Sequence, residues 1–564
     1  MIATKQNFLD YLDSVKNELK PTNFDTGTMD NLSRNIADTE LVVPVIGNFS
    51  AGKSSLLNSF LGKDVLDVDI TPTTGIATEL RFSQDEYSEW IDKDGRIERK
   101  EIWETSDNSG KYRFLRLYLN KEPLKNIEPL ILVDMPGFDS PLDIHNRAIV
   151  EYIAKGVHYV VLSDCTEGSV TKNMMREISN IRAIGKDFSF FLSKSDLKSQ
   201  GDINKIAEYI KEQFKDEFDI SKEIVPITQN DGKTLEKILK EIDSEKLFRN
   251  LFADEVRNCY FEISDKINTY LKALKNDKDI NENAIAELQK GITELVHKKE
   301  NIIAEIKEKY SDVQIERIVN AVGSDLSRSI EELVSLALSG SDKLQKGISD
   351  IIRTSIVKHV SREMEETALD ITEKIADSLK NLELTINAFS AEETADWLDK
   401  ISKLIEVLLG SSGSSNSSKT PAKLLSNNAL YKTITSVVAI TTSILNPIQE
   451  LIILFLPEII KLISYLFGQD KQKENIRNKL LTEVIPNIKR EIYRQLEADL
   501  PKHVATLIED ISNKFEEELS IKKATIAAAE EEKRKQSNSV EEEIRKYEHV
   551  LNNIKLLTTQ YNIF

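Results

Sequence analysis

Cysteine, histidine and surplus positive charge are all scarce in this 564-residue chain, and each scarcity excludes something. The two cysteines, Cys165 and Cys259, give no disulfide framework and no metal-ligand spacing. The six histidines are scattered and form no ligand cluster. With 75 Lys and Arg against 94 Asp and Glu, the formal charge is −19. No excess of cations is present to displace counterions from a nucleic-acid backbone, so a nucleic-acid partner is not expected. Contact with an anionic membrane would need a local basic patch or apolar insertion. The first residues, Met1-Ile2-Ala3-Thr4-Lys5-Gln6, lack the apolar core of a secretory signal, so a cytoplasmic location is expected. Proline is absent from 246 to 405, which permits long helices there. The length exceeds what one core supports and points to roughly three or four structural units.

What the chain does have is a phosphate-binding loop pattern. Gly47-Asn48-Phe49-Ser50-Ala51-Gly52-Lys53-Ser54 fits G-x-x-x-x-G-K-[ST]. It lies between an apolar run at 41–46 that reads as a strand and a stretch from Ser55 to Leu61 that reads as a helix. Glycines at both ends let the backbone wrap close to an anion, with successive N–H groups and the helix N-terminus facing it. Lys53 is expected to reach the terminal phosphates and to have no structural partner without them. The Ser54 hydroxyl is a candidate ligand for Mg2+, and Ser50 is placed to orient the reacting groups. A glycine turn with no ligand is the competing reading.

Further motifs follow in the order a nucleotide site needs. An apolar strand ending at Val133 runs into Asp134-Met135-Pro136-Gly137. Asp134 can hold Mg2+ through water, and the Gly137 N–H can sense a γ-phosphate. Between the two motifs, Thr71-Pro72-Thr73-Thr74-Gly75 is a polar loop of the kind that places a threonine on the metal. Thr74 is favoured over Thr73, and a plain Pro-Thr turn is the alternative. The strand 188–192 leads into Ser193-Lys194-Ser195-Asp196, similar to the [NT]-K-x-D element that reads guanine. Asp196 would accept from the guanine N1–H and exocyclic amine while the Lys194 stem covers the base; a solvated charge pair is the alternative. A last strand at 223–227 precedes Thr228 and Gln229, whose backbone can touch the base. In this order the elements describe a site for GTP or GDP with Mg2+.

The string from Gly47 to Gly62 (GNFSAGKSSLLNSFLG), the PTTG loop and the DMPG motif together resemble the bacterial dynamin-like proteins. The motif match reaches to about residue 245, and beyond it the resemblance is one of layout. It implies a GTP-hydrolysing α/β P-loop domain with a mostly parallel sheet and helices on both faces. That head would join an elongated all-α helical-bundle stalk acting at membranes. It further implies heads that form a nucleotide-dependent homodimer or pair with partner dynamin-like proteins. Two residues depart from the GTPase pattern. Phe138 stands where a small GTPase carries its water-positioning glutamine, and Ser193 opens the base-reading motif. Two other classes stay open on the residues: a GTP-binding assembly switch without useful turnover, and an ATPase of similar shape.

Six regions divide the chain. Residues 1–36 carry Phe8, Leu9, Leu12, Val15 and Leu19 at helical spacing and read as an N-terminal helix packing on the stalk. Residues 37–245 alternate strands and helices, with an inserted edge hairpin at 86–104 turning at Lys93-Asp94-Gly95. An ascending helical stalk at 246–409 is followed by a flexible linker, GSSGSSNSSKTP, at 410–421. Then come an apolar tip at 422–469 and a returning helical stalk at 470–564. Within the tip, 434–467 carries only Glu450, Glu458 and Lys461 as charges, and Pro447 and Pro457 interrupt it. Its uncharged run, 433–449, falls short of a membrane-crossing helix. Lys423 and Lys432 before it, with Lys471, Lys473, Arg477 and Lys479 after it, suit lipid headgroups. Burial against the bundle or a partner-protein contact fits these residues as well. The family resemblance turns the reading to peripheral membrane contact.

Overall fold

The structure is a computed structural model that describes residues 2–48, 51–62, 65–66, 76–92, 94–101, 112–136, 152, 155–183, 186–309, 313–383, 469–535 and 540–564, with short helical pieces between 440 and 459. Two helices come first, α1 (Ala3–Leu19) and α2 (Gly27–Asp38). The single N-terminal helix expected within residues 1–36 is therefore divided. Pro21 has no N–H to continue the first helix, and the Thr22 hydroxyl donates to Leu19 O at 2.6 Å to close its end.

Nine strands then form one sheet: β1 (Leu41–Gly47), β2 (Ala77–Phe82), β3 (Tyr87–Asp92), β4 (Ile97–Lys100), β5 (Tyr112–Leu119), β6 (Leu130–Asp134), β7 (His158–Asp164), β8 (Asp187–Ser193) and β9 (Ile224–Pro226). Their spatial order is β4-β3-β5-β2-β6-β1-β7-β8-β9. From β6 to β9 every pairing is parallel, whereas β2 runs antiparallel to β6. The sheet is thus mostly parallel. The edge hairpin is present as β3 and β4, with Gly95 at φ +80° and Asp92 Oδ1 accepting from the Asp94 and Arg96 N–H groups.

All seven residues of β1 are buried, because helices cover both faces of the sheet centre. Val43, Val45, Leu132, Val160 and Leu162 share one apolar cluster with helices α3 (Lys53–Leu61), α4 (Glu122–Asn126) and a later helix at 232–241. Val42, Ile46, Val133, Tyr159 and Val161 face the other way, onto α5 (Lys172–Ala183) and α6 (Gln200–Phe218). The helix at Gly232–Glu241 is α7. Pro44 interrupts the ladder of this central strand, and Gly156 makes room for it. A Cβ on Gly156 would lie 3.0 Å from Pro44 Cδ and 2.6 Å from the Tyr159 ring.

The remainder of the described chain is helical: α8 (Ser244–Lys275), α9 (Lys278–Lys309), α10 (Val313–Arg328), α11 (Ile330–Ser339), α12 (Ser341–Glu383), α13 (Gln469–Lys479), a π-helical turn at Leu480–Val484, α14 (Ile485–Lys535) and α15 (Val540–Gln560). At 51 residues α14 is about 75 Å long. Its buried stripe, Ile488, Ile492, Leu496, Leu500, Val504, Ile508, Ile511, Phe515 and Leu519, keeps helical spacing and packs on α8, α9, α10 and α12. At the other end α15 returns along α8 and α1. There Tyr547 packs edge-on to Phe24 and lies 4.4 Å from the Tyr270 ring, while Asn7 donates to Tyr561 O at 2.8 Å.

In the apolar segment, Ile440, Ile444, Leu445, Ile448, Ile452 and Ile459 are buried in the main apolar cluster, whereas Leu454 is 74% exposed. Among the described residues no helix is long and apolar enough to cross a membrane. The linker at 410–421 lies outside the described residues.

Candidate nucleotide site

The carboxyl ends of β1, β6, β7, β8 and β9 bring every described candidate residue to one edge of the sheet. Register sets the arrangement: Val45 pairs with Asp134, Gly47 with Leu162, and Asp164 with Ser193. At Gly47 a Cβ would meet Leu162 O at 2.8 Å, so only glycine lets β1 turn off here. Gly52 takes φ +84°, a left-handed conformation, and starts α3 at Lys53.

Lys53 is buried at 8% exposure, and its ammonium donates to Gly47 O at 3.0 Å and Asn48 O at 3.2 Å. The expectation that it lacks a structural partner is overturned: the loop's own carbonyls hold it. Ser54 Oγ donates to Asp134 Oδ2 at 3.1 Å. Asp134 Oδ1 is buried with no hydrogen-bond partner among the described residues. Burial pushes this carboxyl up to about 6, although Lys53 and the Ser54 hydroxyl pull it down. A hydroxyl and an unsatisfied carboxylate oxygen side by side are the donor set of a hard divalent cation, so these residues fit Mg2+. Ala51 is buried, Asn48 donates through Nδ2 to Thr171 Oγ1 at 3.4 Å, and Ser55 lies in the first turn of α3. Phe49, Ser50, Thr73, Thr74, Gly137 and Phe138 lie outside the described residues.

At the base end, Ser193 is buried and its hydroxyl donates to Ser163 O at 3.2 Å. Lys194 adopts φ +55°, and its ammonium sits 2.6 Å from Asp164 Oδ2. Burial alone would raise the Asp164 carboxyl, but hydrogen bonds from Lys194 and Thr166 hold it below the usual carboxylate range. Asp196 and Gln229 are exposed, and the Ser195 N–H donates to Ile227 O at 3.0 Å. Thr228 is fixed by Asp231, whose Oδ2 accepts from the Thr228 N–H at 2.6 Å and hydroxyl at 2.8 Å. Asp164 and Asp231 hold two of the candidate residues, Lys194 and Thr228, and the motifs do not reveal them. The available signal for Asp164 was its place at the end of an apolar strand, HYVVLSD.

Residues 43–180 match the dynamin family. Dynamin-like protein 2 of Campylobacter jejuni is 26% identical over 227 residues, covering 39% of this chain and 34% of that protein. Dynamin-like protein 1 of the same organism is 24% identical over 263 residues, covering 38% of this chain and 36% of that protein. The matches thus span about a third of the length of these relatives. A solved chain from an oligomerised bacterial dynamin pair aligns over 94% of this chain and 91% of its own, at 15% identity and a TM-score of 0.31. The match to the dynamin family is thus confined to residues 43–180, the stretch that carries the phosphate loop and Asp134.

Proposed function

We propose that the chain binds and hydrolyses GTP with Mg2+, and that its helical body couples nucleotide state to self-assembly and peripheral membrane contact. The observation that carries this reading is the Ser54–Asp134 pair, with its unsatisfied buried oxygen, beside a buried lysine in a glycine-bounded loop. Ser54 and Asp134 would hold the metal with Thr74, and the metal when bound would neutralise phosphate charge. Lys53 places a buried cation against the same charge. The backbone from Gly47 to Ser55 would cradle the phosphates, with Ser50 orienting the reacting groups and Gly137 facing the γ-phosphate. Lys194 held by Asp164, with Asp196, Thr228 and Gln229, would form the base pocket.

Phe138 cannot hold water by hydrogen bonding, so the isolated head lacks the usual side-chain device. Basal turnover should be slow and should rise as facing heads complete each other's sites. The membrane part of the reading is supported by the exposed Leu454 in an apolar segment with flanking lysines.

The test is GTP turnover from nanomolar to high micromolar protein, with and without liposomes, and with ATP as competitor. Turnover per molecule that rises with concentration and resists ATP supports the reading. No turnover under any condition favours a non-enzymatic switch, and displacement by ATP favours an ATPase.

A further inference from the structure

Three consecutive residues at the end of β7 hold the base-reading motif from one side. Ser163 O accepts from the Ser193 hydroxyl at 3.2 Å, Asp164 Oδ2 lies 2.6 Å from the Lys194 ammonium, and Cys165 Sγ donates to Lys194 O at 2.9 Å. The register that pairs Asp164 with Ser193 sets Cys165 against Lys194. Asp164 is itself fixed, its Oδ1 accepting from the Thr166 N–H and hydroxyl, both at 2.8 Å. The first two contacts hold side chains of the motif. The thiol holds its main chain.

That main-chain oxygen starts the turn that carries Asp196. Lys194 O accepts from the Leu197 N–H at 3.0 Å, closing a single helical turn over Ser195–Leu197 with Asp196 at its centre. Lys194 enters the turn at φ +55°, a left-handed conformation that is unfavourable for any residue with a Cβ. Such a turn needs holding from outside. The Ser195 N–H donates to Ile227 O on one side, and Cys165 reaches Lys194 O on the other. Asp196 is exposed, so the turn, and not packing around its side chain, aims its carboxylate.

Cys165 is fully buried in the apolar cluster on this face of the sheet. A thiol suits that place, being apolar enough for a core and still a hydrogen-bond donor. Burial and the neighbouring Asp164 carboxylate raise the thiol above its ordinary value, so it keeps the proton it donates.

We propose that Cys165 is a positioning residue for base selection, its thiol locking Lys194 in the conformation that aims Asp196 at a guanine. This role rests on the nucleotide reading above and adds to it a residue that sets purine preference.

Competition binding to the full chain with Mg2+ tests it, using GTP, inosine triphosphate (which lacks the exocyclic amine) and inorganic tripolyphosphate (which lacks a base). Wild type should prefer GTP over inosine triphosphate. Cys165→Ala should weaken GTP about fivefold and inosine triphosphate less, so that the preference shrinks while tripolyphosphate binds as before. Cys165→Ser returns a donor and should restore the preference. Equal preference in wild type and Cys165→Ala overturns the role, and so does a preference lost in Cys165→Ser as well. Tripolyphosphate weakened alongside GTP in Cys165→Ala also overturns it, because the cysteine is then ordinary core. A wild type that binds GTP and inosine triphosphate equally removes base reading by Asp196, and this role with it. Failure of the nucleotide reading itself looks different: wild type then binds neither GTP nor tripolyphosphate, and both fall.

Discussion

Ser54 Oγ and Asp134 Oδ2 are joined at 3.1 Å across the gap between the phosphate loop and the end of β6. The other oxygen of Asp134 is buried and unpaired among the described residues, and burial lifts the carboxyl to about 6. Between the ordinary carboxylate value and pH 6 the folded chain holds a proton that the unfolded chain has released. Stability therefore falls as pH rises through that window, by on the order of 2–3 kcal/mol.

Asp134→Asn removes that cost. It should raise the nucleotide-free Tm at pH 7.5 by on the order of 2 °C, with a smaller gain at pH 5. The same change should abolish Mg2+-dependent GTP binding. Scanning calorimetry at both pH values, paired with titration, checks both halves. An unchanged or lower Tm at pH 7.5 contradicts the charge argument.

Asp196→Asn should weaken GTP and favour xanthosine triphosphate, whose ring presents an acceptor where guanine presents an amine donor. Competition between the two nucleotides reads the switch. Unchanged preference would place base recognition elsewhere.

Gly232→Ala should destabilise the sheet domain by about 1–3 kcal/mol or more. A Cβ there would lie 2.2 Å from Phe60 N and 2.4 Å from Ser59 C, forcing α7 off α3 and stretching the 3.1 Å bond from the Gly232 N–H to Ser59 Oγ. Urea unfolding followed by circular dichroism measures the loss. A midpoint equal to wild type would mean the two helices part without cost.

Leu454→Asp should abolish liposome co-sedimentation while leaving nucleotide affinity and helical content unchanged. Phe455 is partly buried against the core, so the pair Leu454→Asp with Phe455→Asp adds a packing cost that the single change avoids. Binding retained by Leu454→Asp, or wild-type protein that ignores liposomes, removes the membrane contact from this segment.

The phosphate loop, the strand-end aspartate and the edge hairpin are legible in the sequence because each is a local pattern of glycine, charge and apolar run. Asp164 is not, since its pairing with Lys194 exists only through the β7–β8 register that sets Asp164 opposite Ser193. Lys53 illustrates the same limit: the motif gives an expected phosphate partner, but only the folded loop shows the carbonyls that hold its ammonium. Pro44 reads against a central strand, and the space that admits it comes from Gly156, more than a hundred residues away. In the apolar segment, composition shows that large side chains need cover. It does not show that Ile440, Ile444, Ile448 and Ile452 find it within the chain while Leu454 does not.

The central claim is that this loop binds a nucleoside triphosphate, and titration calorimetry with GTP and Mg2+ on wild type and Lys53→Ala tests it most directly. Loss of the ammonium releases Gly47 O and Asn48 O, at a cost of roughly 1–3 kcal/mol, too little to unfold the chain. Wild type should show saturable one-to-one binding and Lys53→Ala none detectable, with equal helical content. Wild-type affinity in Lys53→Ala, or no binding in the wild type, would contradict it.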